Sequence, residues 1–310
     1  MNYLVIGGAG FIGSHVVDKL IEKGHDVWVM DNLVSGRREF VKAQARFHWG
    51  DIRNPKDIER VMDGNQFQRV INLAAQPYIP KCYDDPELFF ETNATGTLNV
   101  LRAVELFCPS NVRFLQYASA EEYGTQGGKI GEDVAVRPQS TYGVSKVAAD
   151  YLCQVRHRES GIQAIALRQF NCFGPRETHE YVIPEIISQL AKGPVVQLGN
   201  IRAERDFLYV EDAAEYAIEL LEKGEAGEIY NLGSEGCISI EELAKMIGRV
   251  MGHKKISIRI DQSKLRPWDI ERLQADNTKI HGVVSCRPQT TFALGLEQTI
   301  AYFREHGWHF

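Results

Sequence analysis

The stretch Tyr3-Leu-Val-Ile6, Gly7-Gly-Ala-Gly-Phe-Ile-Gly13 and Ser14-His-Val-Val-Asp-Lys-Leu20 decides the fold. An apolar, β-branched run passes directly into closely spaced glycines, and these open a helix whose apolar positions recur from Ile12 to about Lys23. Strand, glycine turn and helix in that order are what a dinucleotide fingerprint requires. Gly7, Gly8 and Gly10 let the backbone turn tightly and approach a pyrophosphate, while Gly13 lets the helix press on the strand. The helix start at Phe11 and Ile12 offers free N–H groups and the positive end of the helix dipole. A second strand, Asp26–Met30, is closed by Asp31, roughly 20 residues beyond the glycines. A carboxylate there accepts hydrogen bonds from adenosine ribose hydroxyls and repels a 2′-phosphate, so NAD is expected rather than NADP. Arg37-Arg38 is the opposing signal, because guanidinium groups embrace phosphate; the plainer reading is a solvated basic turn.

Outward from this motif, short β-branched runs alternate with segments of helical period as far as about residue 170. The runs are Tyr3–Ile6, Asp26–Met30, Ala45–Trp49, Arg69–Leu73, Val112–Tyr117 and Gln163–Arg168. Such alternation predicts an α/β fold, a Rossmann-type doubly wound parallel sheet with right-handed crossovers. After Asn171 the pattern breaks into Gly/Pro-punctuated pieces: Cys172-Phe-Gly-Pro175, a helix near Ile183–Lys192, Gly193-Pro194 and a short Val195–Leu198 strand. Residues 1–170 are therefore expected to form the cofactor domain, with segments near 205–235 returning to it. Residues 171–310 supply mainly a smaller α/β substrate-binding domain. Ile229–Leu232 reads as a further sheet strand, and Ser239–Met251 as a helix capped by Ser239 with glutamates behind it.

Composition bounds the function. The chain has 310 residues, a net charge of -6 and a pI near 5.9, so it lacks the basic excess that drives nucleic-acid binding by counterion release. The apolar start at Tyr3–Ile6 meets glycine at once and is too short for a signal peptide or a membrane span. A cytoplasmic protein with no membrane partner is expected. Six cysteines are scattered without C-x-x-C pairs or neighbouring histidines, which reads as reduced packing residues rather than a metal site or disulfide framework.

The chemistry-bearing motif is Ser140-Thr-Tyr-Gly-Val-Ser-Lys146. Tyr142 and Lys146, four residues apart, share one helix face. A phenol titrates near 10 and is a poor base at neutral pH, so a nearby ammonium and an oxidised nicotinamide are needed to favour the phenolate. Ser119, just beyond the fifth strand, stands at the carboxyl edge where parallel sheets present functional groups, and its hydroxyl can bond a reacting sugar oxygen.

With these residues quoted, Gly7–Gly13, Asp31, Asp51-Ile52, Leu73-Ala-Ala75, Asn93, Ser119, Tyr142-x-x-x-Lys146, Arg168–Asn171 with Phe173-Gly-Pro175, and Arg205-Asp-Phe207 resemble, in order and rough spacing, the extended short-chain dehydrogenase/reductase family, which includes nucleotide-sugar 4-epimerases and 4,6-dehydratases. The resemblance covers essentially the whole chain. It implies NAD bound by Gly7, Gly10, Phe11, Ile12, Gly13, Asp31, Asn32, Asp51, Ile52, Leu73, Ala74, Ala75, Asn93, Tyr142 and Lys146, with Asp51 at the adenine and Asn93 supporting the active-site helix. It further implies a nucleotide-diphosphate sugar held by Gln76, Asn171, Arg205 and Arg266, the arginines on the diphosphate. A homodimer formed through a four-helix bundle is implied as well, with Glu87–Phe107 and the helix after Tyr142 as its parts.

Which reaction follows C4 oxidation turns on Ser119-Ala-Glu-Glu-Tyr-Gly124. Glu121 stands where the resembling 4,6-dehydratases place the base that takes the C5 proton. Ala120 stands where dTDP-glucose dehydratases carry an Asp acid, so one carboxyl would serve as both base and acid. Leu198-Gly-Asn200 and Leu265-Arg-Pro-Trp-Asp-Ile270 resemble GDP-mannose dehydratases and the related GDP-4-keto-6-deoxymannose reductases. A GDP-sugar 4,6-dehydratase is the expectation, with a 4-epimerase, a C4 ketoreductase or dehydrogenase, and a non-catalytic NAD-sensing protein as alternatives. Glu121 and Glu122 read otherwise as solvated loop carboxylates. His179 and the tail His306-Gly-Trp-His309 read as polar surface residues, and Gln76-Pro-Tyr78 with Lys81 as a loop bordering the sugar.

Overall fold

The structure is a computed structural model and describes residues 1–307. Its strands are β1 (Asn2–Ile6), β2 (Asp26–Asp31), β3 (Arg46–Trp49), β4 (Arg69–Asn72), β5 (Arg113–Ser119), β6 (Gln163–Gln169), β7 (Asn171–Phe173), β8 (Val195–Leu198), β9 (Glu204–Arg205), β10 (Phe207–Tyr209), β11 (Ile229–Leu232), β12 (Ile238–Ser239), β13 (Ser257–Ile260) and β14 (Arg272–Leu273). Seven of them form one sheet in the order β11-β6-β5-β4-β1-β2-β3, every pair parallel. The chain winds outward in both directions from β1, so the order reverses between β1 and β4. At that switch point the loops after the two strands part and leave a crevice.

The inner parallel strands are buried on both faces, which is why their runs are largely apolar instead of alternating, whereas the edge strand β3 is exposed at Arg46 and Trp49. Tyr3, Val5, Val29, Ile71, Leu115 and Leu167 pack on one face beneath the Phe11–Glu22 and Val210–Lys223 helices. Leu4, Ile6, Val70 and Phe114 pack on the other beneath Pro55–Met62 and Gly96–Phe107. Each such side chain contributes about 1.5–3 kcal/mol. A third cluster lies under β8, β10 and three helices, Val182–Lys192, Ile240–Val250 and Phe292–His306. Smaller sheets accompany it: β7 with β10, β8 with β13, and β12-β9-β14.

Two differences from the sequence reading bear on the site. β5 runs on to Ser119, two residues past Tyr117, so the serine closes the strand. The segment expected as a helix over Glu87–Phe107 is a helix at Pro86–Phe90, a π turn at Glu91–Thr95 and a second helix at Gly96–Phe107. Along it Phe89, Leu101 and Val104 are buried while Phe90 and Leu106 are exposed. Ser239 caps its helix as expected, accepting from the Glu242 N–H at 3.2 Å. Among the described residues no helix is long and apolar enough to cross a membrane, and no group of His, Cys, Asp and Glu is placed to hold a metal ion. His309 lies outside the described residues.

Candidate active site

A cleft of about 1120 Å³ opens at the switch point and runs from the glycine turn past Ser119 to the smaller sheets. That exceeds the roughly 300–1,000 Å³ of an ordinary small-molecule pocket and suits two ligands end to end.

At one end lies the glycine turn. Gly7 has φ +80, and a Cβ there would sit 2.6 Å from the Ala74 backbone nitrogen; one on Gly13 would sit 2.1 Å from the Gly7 carbonyl oxygen. Nothing larger than hydrogen fits between β1, the loop after β4 and the first helix. Gly8 has another job, since a Cβ there would meet Val29 at 2.9 Å; it packs the turn on β2. The helix begins at Phe11 with no side-chain cap, and Phe11, Ile12 and Gly13 line the cleft. Asp31 is 8 % exposed, with Oδ2 accepting from Ala9 N at 3.0 Å and Oδ1 from Leu33 N at 2.8 Å. Burial pushes this carboxyl up, opposed by those two N–H donors. Each oxygen keeps a lone pair for a hydroxyl, so turn, helix start and carboxylate together fit a dinucleotide. Arg38 is engaged elsewhere, over the Phe47 ring and donating to the Val41 carbonyl.

Asn32, Ile52, Leu73, Ala74, Ala75 and Gln76 line the cleft, whereas Asp51 and Asn93 do not. The Asp51 carboxylate receives Arg53 at 2.7 Å and Asn32 at 2.9 Å and is held down to about 2, chiefly by that arginine. Gly50 and Ile52, not Asp51, face the cleft. Asn93 is 1 % exposed and stands behind the wall. Its Oδ1 accepts from Gln76 N at 2.8 Å, while its Nδ2 donates to the Gln76 carbonyl at 3.1 Å and to Ser145 Oγ at 2.9 Å. Ser145 in turn donates to the Tyr142 carbonyl at 2.7 Å, so Asn93 clamps the loop after β4 to the helix carrying Tyr142. The π turn puts it there; such one-turn expansions are frequent at functional sites.

At the middle of the cleft, the Tyr142 phenol and the Ser119 hydroxyl line the wall close enough to interact. Tyr142 is on the Thr141–Ser160 helix, started by Ser140, whose Oγ accepts from Gly143 N at 3.0 Å. Burial raises the phenol well above its ordinary range; the Ser119 hydroxyl opposes this, and Glu121, Glu122 and Cys82 add to it. Lys146 Nζ donates to the Tyr117 carbonyl at 2.5 Å, and burial lowers its ammonium to about 8 against the pull of Glu122 and Asp150. Neither glutamate is solvated. Glu121 is 18 % exposed in its side chain, 3.9 Å from Arg266, and raised by burial against Arg266 and Arg205. Glu122 is fully buried.

The far end carries charge. Arg205, on β9 and 7 % exposed, donates from Nη2 to Asp269 Oδ1 at 3.0 Å, and Arg266 lies 4.0 Å from the same oxygen. Asn200 donates to Asp269 Oδ2 at 2.9 Å. Asp269 thus stands between two arginines, a role hinted at only by its i+3 spacing from Arg266. Asn171 lines the cleft from β7. His179 corrects its reading as a surface residue: it lines the cleft, stacks on Tyr78 at 5.5 Å and lies 5.7 Å from the Tyr181 ring. Burial, with Lys81, lowers its imidazole to about 4. Glu177, which sequence gave no reason to single out, is buried in the wall and pushed up by that burial to about 8.

Known proteins bear on this geometry. The family described as GDP-mannose 4,6 dehydratase matches residues 4–299. The UDP-glucose 4-epimerase of Lactobacillus helveticus is 29% identical over 313 residues, covering 93% of this chain and 92% of its own. The UDP-glucose 4-epimerase of Thermotoga maritima, solved with UDP-glucose, superposes with a TM-score of 0.91 at 30% identity over 98% of this chain and 99% of its own. DesIV, the dTDP-glucose 4,6-dehydratase of Streptomyces venezuelae, solved with NAD, gives 0.90 at 28% identity over 99% and 98%.

Proposed function

The chain belongs to this family of NAD-dependent epimerases and dehydratases, and from that premise we propose that it oxidises a nucleotide-activated sugar at C4 with NAD, and that it is a 4,6-dehydratase of the GDP-sugar type. Bound NAD would take the C4 hydrogen with its electron pair and later return it; everything else falls to the chain. Tyr142 removes the O4 proton, Ser119 hydrogen-bonds the same oxygen, and Lys146 supplies a positive charge beside them. Arg205 and Arg266 receive the diphosphate, with Asp269 orienting both.

The observation that carries the dehydratase reading is Glu121. It is mostly buried at the Ser119 end of the cleft with its carboxyl raised by that burial, as suits a group that must take a proton and give it back. Once C4 is a ketone the C5 proton is acidic; Glu121 takes it and passes it to the departing C6 hydroxyl, which leaves as water and gives a 4-keto-5,6-ene, and the hydride taken from C4 then adds at C6 while a proton from solvent restores C5. A 4-epimerase is the second reading, favoured by the 3.9 Å approach of Arg266, which ties Glu121 toward the diphosphate end. Incubation with NAD and a panel of UDP-, GDP-, CDP- and dTDP-sugars, with product masses measured, tests the proposal. Loss of one water is the expected result; a new isomer of unchanged mass would overturn it in favour of epimerisation.

The domain division read from the sequence, the homodimer and a cytoplasmic location are part of the same proposal. For the dimer, Phe90 and Leu106 on one side and Val144 and Tyr151 on the helix of Tyr142 leave apolar surface exposed on the two elements expected to pair.

A further inference from the structure

Behind Ser119 and Lys146 the protein buries three ionisable groups that the reaction itself does not use. Glu122 is 0 % exposed, as is Asp150, and Arg168 is 2 % exposed. Glu122 Oε1 accepts from the Ser119 backbone N–H at 2.9 Å, and its Oε2 accepts from Arg168 Nε at 3.1 Å. Arg168 also reaches Asp150 Oδ2, from Nη2 at 2.7 Å. Asp150 lies one helical turn beyond Lys146, and Lys146 feels both carboxyl groups. The other titratable groups facing this set stay neutral: burial raises Tyr123, whose ring lies 4.7 Å from the Arg168 guanidinium, as well as Cys153 and Tyr142. Glu121 faces away, toward Arg266.

Charge counting gives this set a meaning. One carboxylate balances Arg168. A second is needed to balance the ammonium of Lys146, because an unpaired buried charge is expelled by changing its protonation state. Asp150 alone satisfies the guanidinium, so a lone Arg–Asp pair would leave Lys146 without a counter-charge. We propose that Glu122 is a positioning residue: its carboxyl group fixes the Ser119 backbone and joins Asp150 and Arg168 in a buried set whose second negative charge keeps the ammonium on Lys146. Burial and Asp150 push the Glu122 carboxyl up while Arg168 and the Ser119 N–H hold it down, so the negative charge it lends Lys146 grows as pH rises. The role of that charge in turnover rests on the function proposed above; the ionisation of Lys146 does not.

The test therefore reads Lys146 directly. The full-length protein and its Glu122→Gln and Asp150→Asn variants are acetylated with trace acetic anhydride across a pH series, and the Lys146 peptide is quantified by mass. Lys146 lines the cleft and is reachable by so small a reagent. Removing either carboxylate should lower the Lys146 midpoint by about one pH unit, the usual order for losing a nearby opposite charge. Where a sugar substrate turns over, the alkaline limb of kcat should move by the same amount with KM little changed. A labelling shift in a protein that turns over no sugar would still support the inference while refuting the proposed function. Superimposable labelling curves in all three proteins would overturn it. So would loss of folding in both variants, since that would assign the set to stability alone.

Discussion

Glu121→Gln separates the two jobs the structure offers this residue, and the two move in opposite directions. As proton carrier, a positioned carboxyl contributes about 10²–10⁴-fold, so its loss should lower kcat by that factor if the enzyme dehydrates. As partner of Arg266 at 3.9 Å, it competes with the substrate diphosphate for a guanidinium. Two unit charges at about 4 Å attract by about 4 kcal/mol at an effective dielectric of about 20. Arg266 is 31% exposed, however, and solvent pulls such pairs toward about 1 kcal/mol or less. Releasing the arginine should therefore lower KM by a few-fold at most, about fivefold for 1 kcal/mol. The expected signature is a large fall in kcat with KM unchanged or slightly lower. Reduced nicotinamide, followed by absorbance, should accumulate in the variant, because C4 oxidation proceeds while C5 proton loss stalls. In heavy water the unmodified enzyme should place deuterium at C5. Full turnover by Glu121→Gln together with a product free of C5 deuterium would refute this reasoning and leave the epimerase reading standing.

Other expectations follow from the same geometry. Tyr142→Phe should lower turnover by about 10²–10⁴-fold while sparing cofactor and sugar affinity, whereas Lys146→Ala should also weaken NAD binding; equal, minor effects in steady-state kinetics and titration would place the site elsewhere. NAD should bind more tightly than NADP, and Asp31→Ala should narrow the difference in fluorescence titration, because Asp31 and its two backbone donors define the ribose end. Tighter NADP binding by the unmodified protein would defeat that reading. His15, 6 % exposed, is lowered by burial to about 4. From about pH 6.5 down to that value the unfolded chain binds a proton the native chain does not, so this group's contribution is fully present above about 6.5 and lost as pH falls, by about 1.4 kcal/mol per unit. His15→Gln should flatten the acid limb of thermal stability, and an unchanged limb would assign acid loss to other groups.

What sequence could see and what it could not divide along a physical line. The inner strands of the large sheet were legible because parallel strands bury both faces, and continuous apolar runs such as Leu4–Ile6 and Val70–Ile71 have no amphipathic alternative. Gly7 and Gly13 were legible because the close approach they permit excludes every other residue type. Tyr142 and Lys146 could be paired since helix periodicity alone puts them on one face. Asp51, expected at the adenine, shows what the chain alone hides: its position after a strand is local, but Arg53 and Asn32 claim its oxygens, and side-chain competition leaves no periodic trace. Asn93, expected both at the cofactor and as support for the active-site helix, stands behind the wall, where it ties the loop after β4 to that helix.

Glu121 and Glu122 show the limit most sharply. They are adjacent, identical in type and equally plausible as solvated loop residues. The three-residue turn that follows β5 sends one side chain toward Arg266 and the other beneath Ser119. Their different fates depend on Arg168 and Arg266, 46 and 145 residues downstream, so no window along the chain could have assigned them. The same two carboxylates separate what the site does to a substrate from what holds the site ready. A change at Glu121 should alter which product forms, and a change at Glu122 the pH range in which any product forms. A chain that kept the first effect and lacked the second would have a correctly assigned reaction and a wrongly assigned charge set, and the reverse outcome would have the opposite meaning.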